Sequence, residues 1–147
     1  MNIVTVKFQP HAEDVVLPKY ATAGAAGMDI AAHIDSAVTL TPFARAAIAT
    51  GFSMQLPHGY EAQIRPRSGL ALEHGVTVAN APGTIDSDYR GEVAVILINL
   101  GQQNFTITPG MRIAQMVIAP VTNCRLEGES HLDISDRGKG GFGSTGL

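Results

Sequence analysis

Short apolar runs, each bounded by glycine, proline or asparagine, recur along this chain and constrain its fold more than any other feature. Short apolar runs with such boundaries are typical of β-strands, and their spacing of roughly ten residues is typical of a β-sandwich or β-barrel. The clearest predicted strands are residues 3–8, 45–56, 60–65, 93–100, 105–108 and 111–119. The sequence therefore predicts an all-β fold.

Two of these strands indicate which of their faces are buried. Across residues 60–65, small or apolar side chains alternate with polar ones, so one face is predicted to be buried and the other exposed. Residues 93–98 are apolar at every position, which is typical of a central strand covered on both faces. One short helix is also predicted, with Ser68 as its cap, residues 70–74 as its body and Gly75 as its end.

Composition and charge exclude several classes of protein. A chain of 147 residues that is 45% hydrophobic is long enough for one domain with a real core. Its net charge of -3 argues against a surface that coats nucleic acid. The single cysteine, Cys124, excludes an internal disulfide and a cysteine zinc site, which fits the cytoplasm. Without a basic region before a long apolar run, or any apolar stretch of membrane-spanning length, we expect neither export nor membrane insertion.

The C-terminal residues 137–147 form a segment in which five of the first ten residues are glycine. Glycines leave the backbone flexible and its amides accessible, while Arg137, Ser144 and Thr145 can donate hydrogen bonds to an anion. Phe142 has little near it in sequence to pack on, which suggests a ring that stacks on a flat ligand. We therefore predict a flexible arm that closes over a phosphate-containing ligand; the alternative is a disordered tail.

Two further segments place charged or hydroxyl side chains beside glycines. Asp29 stands in an apolar stretch and needs a partner, either waters of a bound magnesium ion or neighbouring backbone amides. Arg67 and Ser68 stand where the predicted helix begins, and free amides and the helix dipole favour an anion at that position. An ordinary helix cap beside surface arginines would have the same sequence.

Residues 80–91 are the most densely polar part of the chain. A hairpin-like turn through residues 82–83 would expose backbone groups that can read the edge of a flat base, and Asn80 would add a donor and an acceptor. Acidic residues such as Asp86 are also common in ordinary loops. Farther along, Gln115 interrupts an apolar strand, where it either positions a water molecule or satisfies a neighbouring strand.

In order and spacing, these five segments resemble the five motifs of the trimeric deoxyuridine triphosphate nucleotidohydrolases, or dUTPases. The resemblance runs from Asp29 to Thr145 and so covers nearly the whole chain. It implies a distorted jelly-roll β-barrel or sandwich with one short helix over residues 1–136, and a mobile arm over residues 137–147. It also implies a homotrimer with shared active sites that hydrolyses dUTP to dUMP and pyrophosphate with the help of Mg²⁺.

The resemblance further implies a role for each motif residue. Asp86 and Gln115 would activate the attacking water, Ser68 would lie near the oxygen that bridges the α- and β-phosphates, and Asp29 would hold magnesium through water. The residues implied to bind phosphates, uracil and deoxyribose are Arg67, Ser68, Gly69, Asn80, Thr84, Ile85, Asp86 and Tyr89. The residues implied to close over the substrate are Arg137, Phe142, Gly143, Ser144 and Thr145.

Two rival interpretations share this fold. A dCTP deaminase would use the same triphosphate site but attack the base, and the complete arm together with Asp86 and the base-reading turn argues against it. A catalytically silent nucleotide sensor or protein-binding module would be expected to lack Asp86, Gln115 or the arm, and the sequence retains all three.

Overall fold

A computed structural model describes residues 3–144 of the chain. Within that range the chain forms eleven strands and one short helix. In chain order they are β1 (Lys7–Pro10), β2 (Lys19–Tyr20), β3 (Met28–Ala31), β4 (Val38–Leu40), β5 (Arg45–Gln55), β6 (Tyr60–Arg65), α1 (Ser68–His74), β7 (Val76–Val78), β8 (Gly83–Ile85), β9 (Glu92–Asn99), β10 (Phe105–Ile107) and β11 (Arg112–Pro120).

The strands form two large sheets that share one core. The four-stranded sheet has the order β1-β5-β9-β7, the five-stranded sheet has the order β2-β3-β11-β6-β8, and β10 pairs with β4 in a small separate sheet. Phe52, Ile30 and Ile107, one from each sheet, are fully buried in the same apolar cluster. The predicted all-β class is confirmed, and across residues 3–144 the sheets form a sandwich rather than a closed barrel.

The boundaries of the outer strands follow their pairing partners more than their own composition. β6 has the predicted bounds, and its Ala62 and Ile64 are buried while Arg65 is exposed, as the alternation predicts. The first strand was expected over residues 3–8 but spans Lys7–Pro10, because those residues pair with the second half of β5. Local composition does not reveal where such a partner ends.

The prediction for β9 is right about its place and wrong about its two faces. β9 lies between β5 and β7, inside the four-stranded sheet. Its side chains nevertheless alternate, since Val95 and Leu97 are buried while Ala94 is exposed and Ile96 is 37% exposed. Residues 3–144 therefore leave one face of this apolar strand partly exposed, which makes that face a candidate for contact with another molecule.

The helix α1 begins earlier than predicted, and its first residue is not its cap. Arg67 is the N-cap residue, with an extended backbone and no side-chain capping hydrogen bond, so Ser68 is already the first helical residue. Gly75 ends the helix as predicted, with a left-handed φ of 68° and a backbone N–H that bonds the Leu70 and Ala71 carbonyls. None of the residues described here belongs to a helix long and apolar enough to cross a membrane.

A β-bulge near the start of β11 determines which of its side chains share a face. The register against β3 shifts between Arg112 and Ala114, so Ile113 is an extra residue. Ile113 and Ala114 are consecutive, yet both are buried. On a regular strand Arg112 and Gln115 would point to opposite faces, but the extra residue brings both to the outer face.

Candidate functional site

The first, second and fourth motif segments meet in the five-stranded sheet. β11 lies between β3 and β6, and Gln115 pairs with Asp29 on one side and with Arg65 on the other. Arg67 follows two residues after the end of β6. Residues that are far apart in sequence therefore become neighbours through strand pairing.

Asp29 lies between two guanidinium groups, which we call the arginine–aspartate cluster (Asp29, Arg67 and Arg112). Its Oδ1 is 3.3 Å from Arg67 Nε, and its Oδ2 accepts a 3.0 Å hydrogen bond from Arg112 Nη1. Arg67 Nη1 also donates to the backbone carbonyl of Arg112 at 3.1 Å. Asp29 is thus paired with charged side chains, and not with the neighbouring backbone amides that were one of its two predicted partners. Two cations and one anion leave the cluster with a net positive charge, which favours an anionic ligand.

Arg112 is the residue of this cluster that sequence reasoning missed. An arginine at the start of a strand is usually a solvated surface residue, so its residue type and position alone do not distinguish it. The informative signal is the pair of consecutive apolar residues, Ile113 and Ala114, between Arg112 and Gln115. Such a break in alternation is compatible with a bulge, but it does not reveal the partner across the sheet.

Gln115 is fixed by contacts at both ends of its amide group. Nε2 donates a 3.0 Å hydrogen bond to the Pro66 carbonyl, which satisfies a neighbouring segment as the structural alternative predicted. Oε1 lies against Gly27, where an added Cβ would be only 2.4 Å away. A side chain at position 27 would therefore displace Gln115, so this glycine is required for the close approach.

Ser68 and Gly69 begin the helix on an exposed surface beside Arg67. The first intrahelical hydrogen bond runs from the Ala71 N–H to the Arg67 carbonyl. The amides before Ala71 in the helix therefore have no partner within the helix. A Cβ at Gly69 would meet no atom within 4 Å, so space is open above this turn. The ordinary-cap alternative fails for Ser68, and its hydroxyl is at the surface where an anion could reach it.

The base-reading turn predicted over the third motif connects two sheets and is not a hairpin. β7, before the turn, pairs with β9 in the four-stranded sheet, while β8, after it, pairs with β6 in the five-stranded sheet. Asn80 is exposed, and its Nδ2 would be 3.3 Å from a Cβ added at Gly83. Thr84 is exposed and Ile85 is buried, so β8 anchors the turn through Ile85 in the core.

Asp86 and Tyr89 occupy the tight turn that follows β8. The Tyr89 N–H donates to the Asp86 carbonyl at 3.2 Å, which closes the turn. The Tyr89 hydroxyl donates to the Glu92 carbonyl at 3.0 Å, and a Cβ added at Gly91 would be 2.3 Å from that hydroxyl oxygen. Tyr89 is 46% exposed, so a ring tethered at its hydroxyl presents a fixed flat surface.

Asp86 and Gln115 do not come together within one chain. Gln115 pairs with Arg65 on β6, whereas Ile85, just before Asp86, pairs with Ala62 across the opposite edge of β6. With strands about 4.8 Å apart and about 3.3 Å per residue along each strand, the two backbones are roughly 16 Å apart. The extended glutamine and aspartate side chains together span roughly half of that distance. The remaining gap is wider than the roughly 6 Å that one shared water molecule bridges. A single chain therefore holds two separate parts of the predicted site.

The segment that leads to the predicted arm lies apart from the core. Residues 121–139 are exposed throughout and form no strand or helix. Leu126 is 89% exposed, Leu132 is 88% exposed and Ile134 is 101% exposed. Large aliphatic side chains are rarely left so open over one stretch unless another surface covers them.

The predicted arm residues are Arg137, Phe142, Gly143, Ser144 and Thr145, and Thr145 lies outside the described residues. Arg137 Nε donates to the Gly140 carbonyl at 2.9 Å, so this part of the arm folds upon itself. The Phe142 side chain is 114% exposed. It covers no other described residue, so the described part of the arm, residues 137–144, leaves the Phe142 ring open.

Asp29 is the residue of this region that the sequence predicts to contact a metal ion. Across residues 3–144 no three His, Cys, Asp or Glu side chains are grouped as metal ligands. Asp29 offers one carboxylate that is already paired with two guanidinium groups. Magnesium is usually bound through one or two carboxylates together with substrate phosphates and waters. Asp29 is therefore suited to contact a water molecule on a magnesium ion that an anionic ligand brings to the site.

In a comparison with protein families, the family model described as dUTPase matches residues 13–146. The deoxyuridine 5'-triphosphate nucleotidohydrolase of Roseobacter denitrificans is 62% identical over 133 residues, which cover 90% of this chain and 88% of that protein. The enzyme of the same name from Rhizobium meliloti is 56% identical over 139 residues, covering 93% of this chain and 87% of that protein.

Solved structures show the same jelly-roll fold. The dUTPase of Staphylococcus bacteriophage 80alpha, bound to dUPNHPP, has a TM-score of 0.87 at 24% identity and covers 97% of this chain and 99% of that one. A dUTPase variant from phage phi11 of S. aureus, described as coordinating a structural Mg(II) ion, has a TM-score of 0.78 at 21% identity, covering 88% of this chain and 99% of that one.

Proposed function

This chain belongs to the dUTPase family, and from that premise we propose that it hydrolyses dUTP to dUMP and pyrophosphate by in-line attack of water on the α-phosphorus. The observation that carries the proposal is the family match over residues 13–146, which includes all five motif segments. Such a reaction would keep uracil out of DNA and supply dUMP for thymidylate synthesis. Because this substrate is made and used inside cells, and the lone Cys124 fits a reducing compartment, we also propose a cytoplasmic location.

In this proposal Asp86 is the general base and Gln115 helps to hold the attacking water. A carboxylate can take the proton of a water molecule as it attacks phosphorus. Support for Gln115 comes from its fixed amide, which is held between Pro66 and Gly27. A group that is held in place in advance orients a nucleophile at little further entropic cost.

The phosphates bind, in this proposal, at the arginine–aspartate cluster and the start of α1. Arg67, Ser68 and Gly69 donate to phosphate oxygens, with Ser68 near the oxygen between the α- and β-phosphates. These donors stabilise the charge that develops on the departing pyrophosphate. Magnesium, carried by the triphosphate, would neutralise phosphate oxygens, and Asp29 would contact one of its waters.

Uracil and deoxyribose are assigned to the third motif. Asn80, Thr84 and Ile85 form the turn that reads uracil, and the close contact between Asn80 and Gly83 supports a tight pocket. A tight pocket rejects the thymine methyl group sterically, a discrimination of about 1 to 3 kcal/mol. The tethered ring of Tyr89 packs against deoxyribose and leaves no room for a ribose 2'-hydroxyl.

We propose a homotrimer whose active sites are shared between subunits. The separation of Asp86 from Gln115 supports this, because a second subunit can bring its own Asp86 to the Gln115 of the first. The uncovered apolar face of β9 and the exposed Leu126, Leu132 and Ile134 also support subunit contacts. Burying three such side chains contributes roughly 4.5 to 9 kcal/mol before the cost of association is subtracted.

The arm, residues 137–147, is proposed to close over a site on a neighbouring subunit. Phe142 would cover uracil, while Arg137, Gly143, Ser144 and Thr145 would hold the γ-phosphate. The fully exposed Phe142 and the long exposed segment before it support donation to another chain. Closure excludes water from the site, which strengthens the electrostatic interactions within it.

A product assay tests the proposed activity. With magnesium present, dUTP is expected to yield dUMP and pyrophosphate in equal amounts, with dTTP and dCTP turned over far more slowly. Nucleotide chromatography together with a pyrophosphate-coupled assay measures both products. Formation of dUDP and phosphate, or deamination of dCTP, would contradict the proposal.

A further inference from the structure

We infer that Arg112 is a positioning residue that holds Arg67 in the orientation needed to receive the substrate phosphates. The inference rests on the proposed function of this site, in which Arg67 contacts the phosphates. Arg112 itself belongs to the fourth motif segment, where the proposed function uses only Gln115.

The two described contacts of the Arg67 guanidinium group lead to Arg112, one to its backbone and the other, through Asp29, to its side chain. Arg67 Nη1 donates directly to the Arg112 carbonyl at 3.1 Å. Arg67 Nε is 3.3 Å from Asp29 Oδ1, and the other oxygen of that carboxylate is held by Arg112 Nη1 at 3.0 Å. Asp29 thus transmits the position of the Arg112 side chain to Arg67.

The exposure of the three side chains distinguishes one outer member of the cluster from two inner ones. The Arg67 side chain is 26% exposed, Asp29 is 34% exposed and Arg112 is 63% exposed. Arg112 is therefore the outer member of the cluster, and an ion pair this open contributes little to folding stability. Its main effect is on the geometry and the charge of the two inner groups.

The charge of Arg112 also keeps Arg67 available to an anion. A lone Asp29 would pair with Arg67 one to one, and this carboxylate would then compete with phosphate for the same donors. With Arg112 present, Asp29 is shared between two guanidinium groups, and the cluster keeps a net positive charge. A phosphate oxygen can then bind Arg67 without first displacing Asp29.

The β-bulge explains how Arg112 reaches Asp29. The extra residue, Ile113, turns Arg112 to the outer face that Gln115 also occupies. Without it, the Arg112 side chain would point into the core, where Ile113 and Ala114 are buried. The same bulge therefore places both Arg112, which holds Arg67, and Gln115 on the face that carries the site.

The test is a double-mutant cycle between Arg112 and Arg67, measured as binding of the non-hydrolysable substrate analogue α,β-imido-dUTP with magnesium by calorimetry. We expect Arg112→Gln to weaken binding about tenfold and Arg112→Lys, which keeps the charge, less than about threefold. In an Arg67→Gln background, Arg112→Gln should add less than about a twofold further loss, because the group it positions is gone. Arg125→Gln, which breaks an arginine–carboxylate pair outside the site, serves as the matched control and should change nothing.

Additive losses in the cycle would show that Arg112 acts on the ligand without Arg67, and would overturn the inference. A large fall in melting temperature for Arg112→Gln would assign it a structural role and would overturn the inference as well. Wild-type turnover of dUTP is measured in parallel. If the wild type has no such activity, the proposed function fails; additive losses in an active enzyme defeat only the role of Arg112.

Discussion

Replacing Asp86 with asparagine is expected to lower kcat about 100-fold or more while leaving dUTP binding largely intact. Asparagine keeps the size and hydrogen-bonding reach of aspartate but cannot accept the proton of the attacking water. Ile85 remains in the core and the Tyr89 N–H still bonds the residue 86 carbonyl, so the turn should keep its shape. Steady-state kinetics and binding of α,β-imido-dUTP measure the two effects separately.

Asp88→Asn provides a matched control for this variant. Asp88 is an exposed aspartate two residues along the same turn, so its substitution makes the same change in charge. Turnover near that of the wild type is expected for Asp88→Asn. If Asp86→Asn were also close to wild type, Asp86 could not be the base, and another group would have to accept the proton.

Removing residues 137–147 is expected to reduce turnover about 100-fold or more, because several donors to the developing charge are lost together. The melting temperature and the mass of the proposed trimer should change little. Phe142 is fully exposed and Arg137 bonds within the arm, so the core loses no described contact of these two side chains. Kinetics, thermal unfolding and light scattering measure these three properties.

Single substitutions at Phe142 refine the test of the arm. Phe142→Ala should reproduce part of the loss, whereas Phe142→Tyr keeps a ring that can stack on uracil and should retain most of the turnover. Collapse of the fold on deletion would mean that the arm is structural. Equal activity of all the variants would mean that it does not close over the substrate.

Features that depend on local pattern could be predicted from the sequence. The alternation in β6 gives its buried face, and Gly75 ends the helix because a left-handed residue is needed there. β9 shows where this reasoning fails. An unbroken apolar run indicates that both faces need a cover, but not whether its own chain or another one supplies that cover.

The spatial arrangement of the site depends on pairing between distant strands, which a single sequence does not reveal. Arg112 reaches Asp29 only because a bulge in β11 changes its face. The separation of Asp86 from Gln115 follows from the register of β8 and β11 on opposite edges of β6. The sequence predicts the motif residues as a set, but their division into two parts of one chain is seen only in the structure.

Mixing two inactive variants tests most directly whether the active site is shared between subunits. Asp86→Asn and Gln115→Ala chains are each expected to be nearly inactive alone. In randomly mixed trimers a shared site has an intact Asp86 from one subunit and an intact Gln115 from another in about a quarter of cases, so about a quarter of wild-type activity should return. If the mixture is no more active than its components, each site is built within one chain and the account is contradicted.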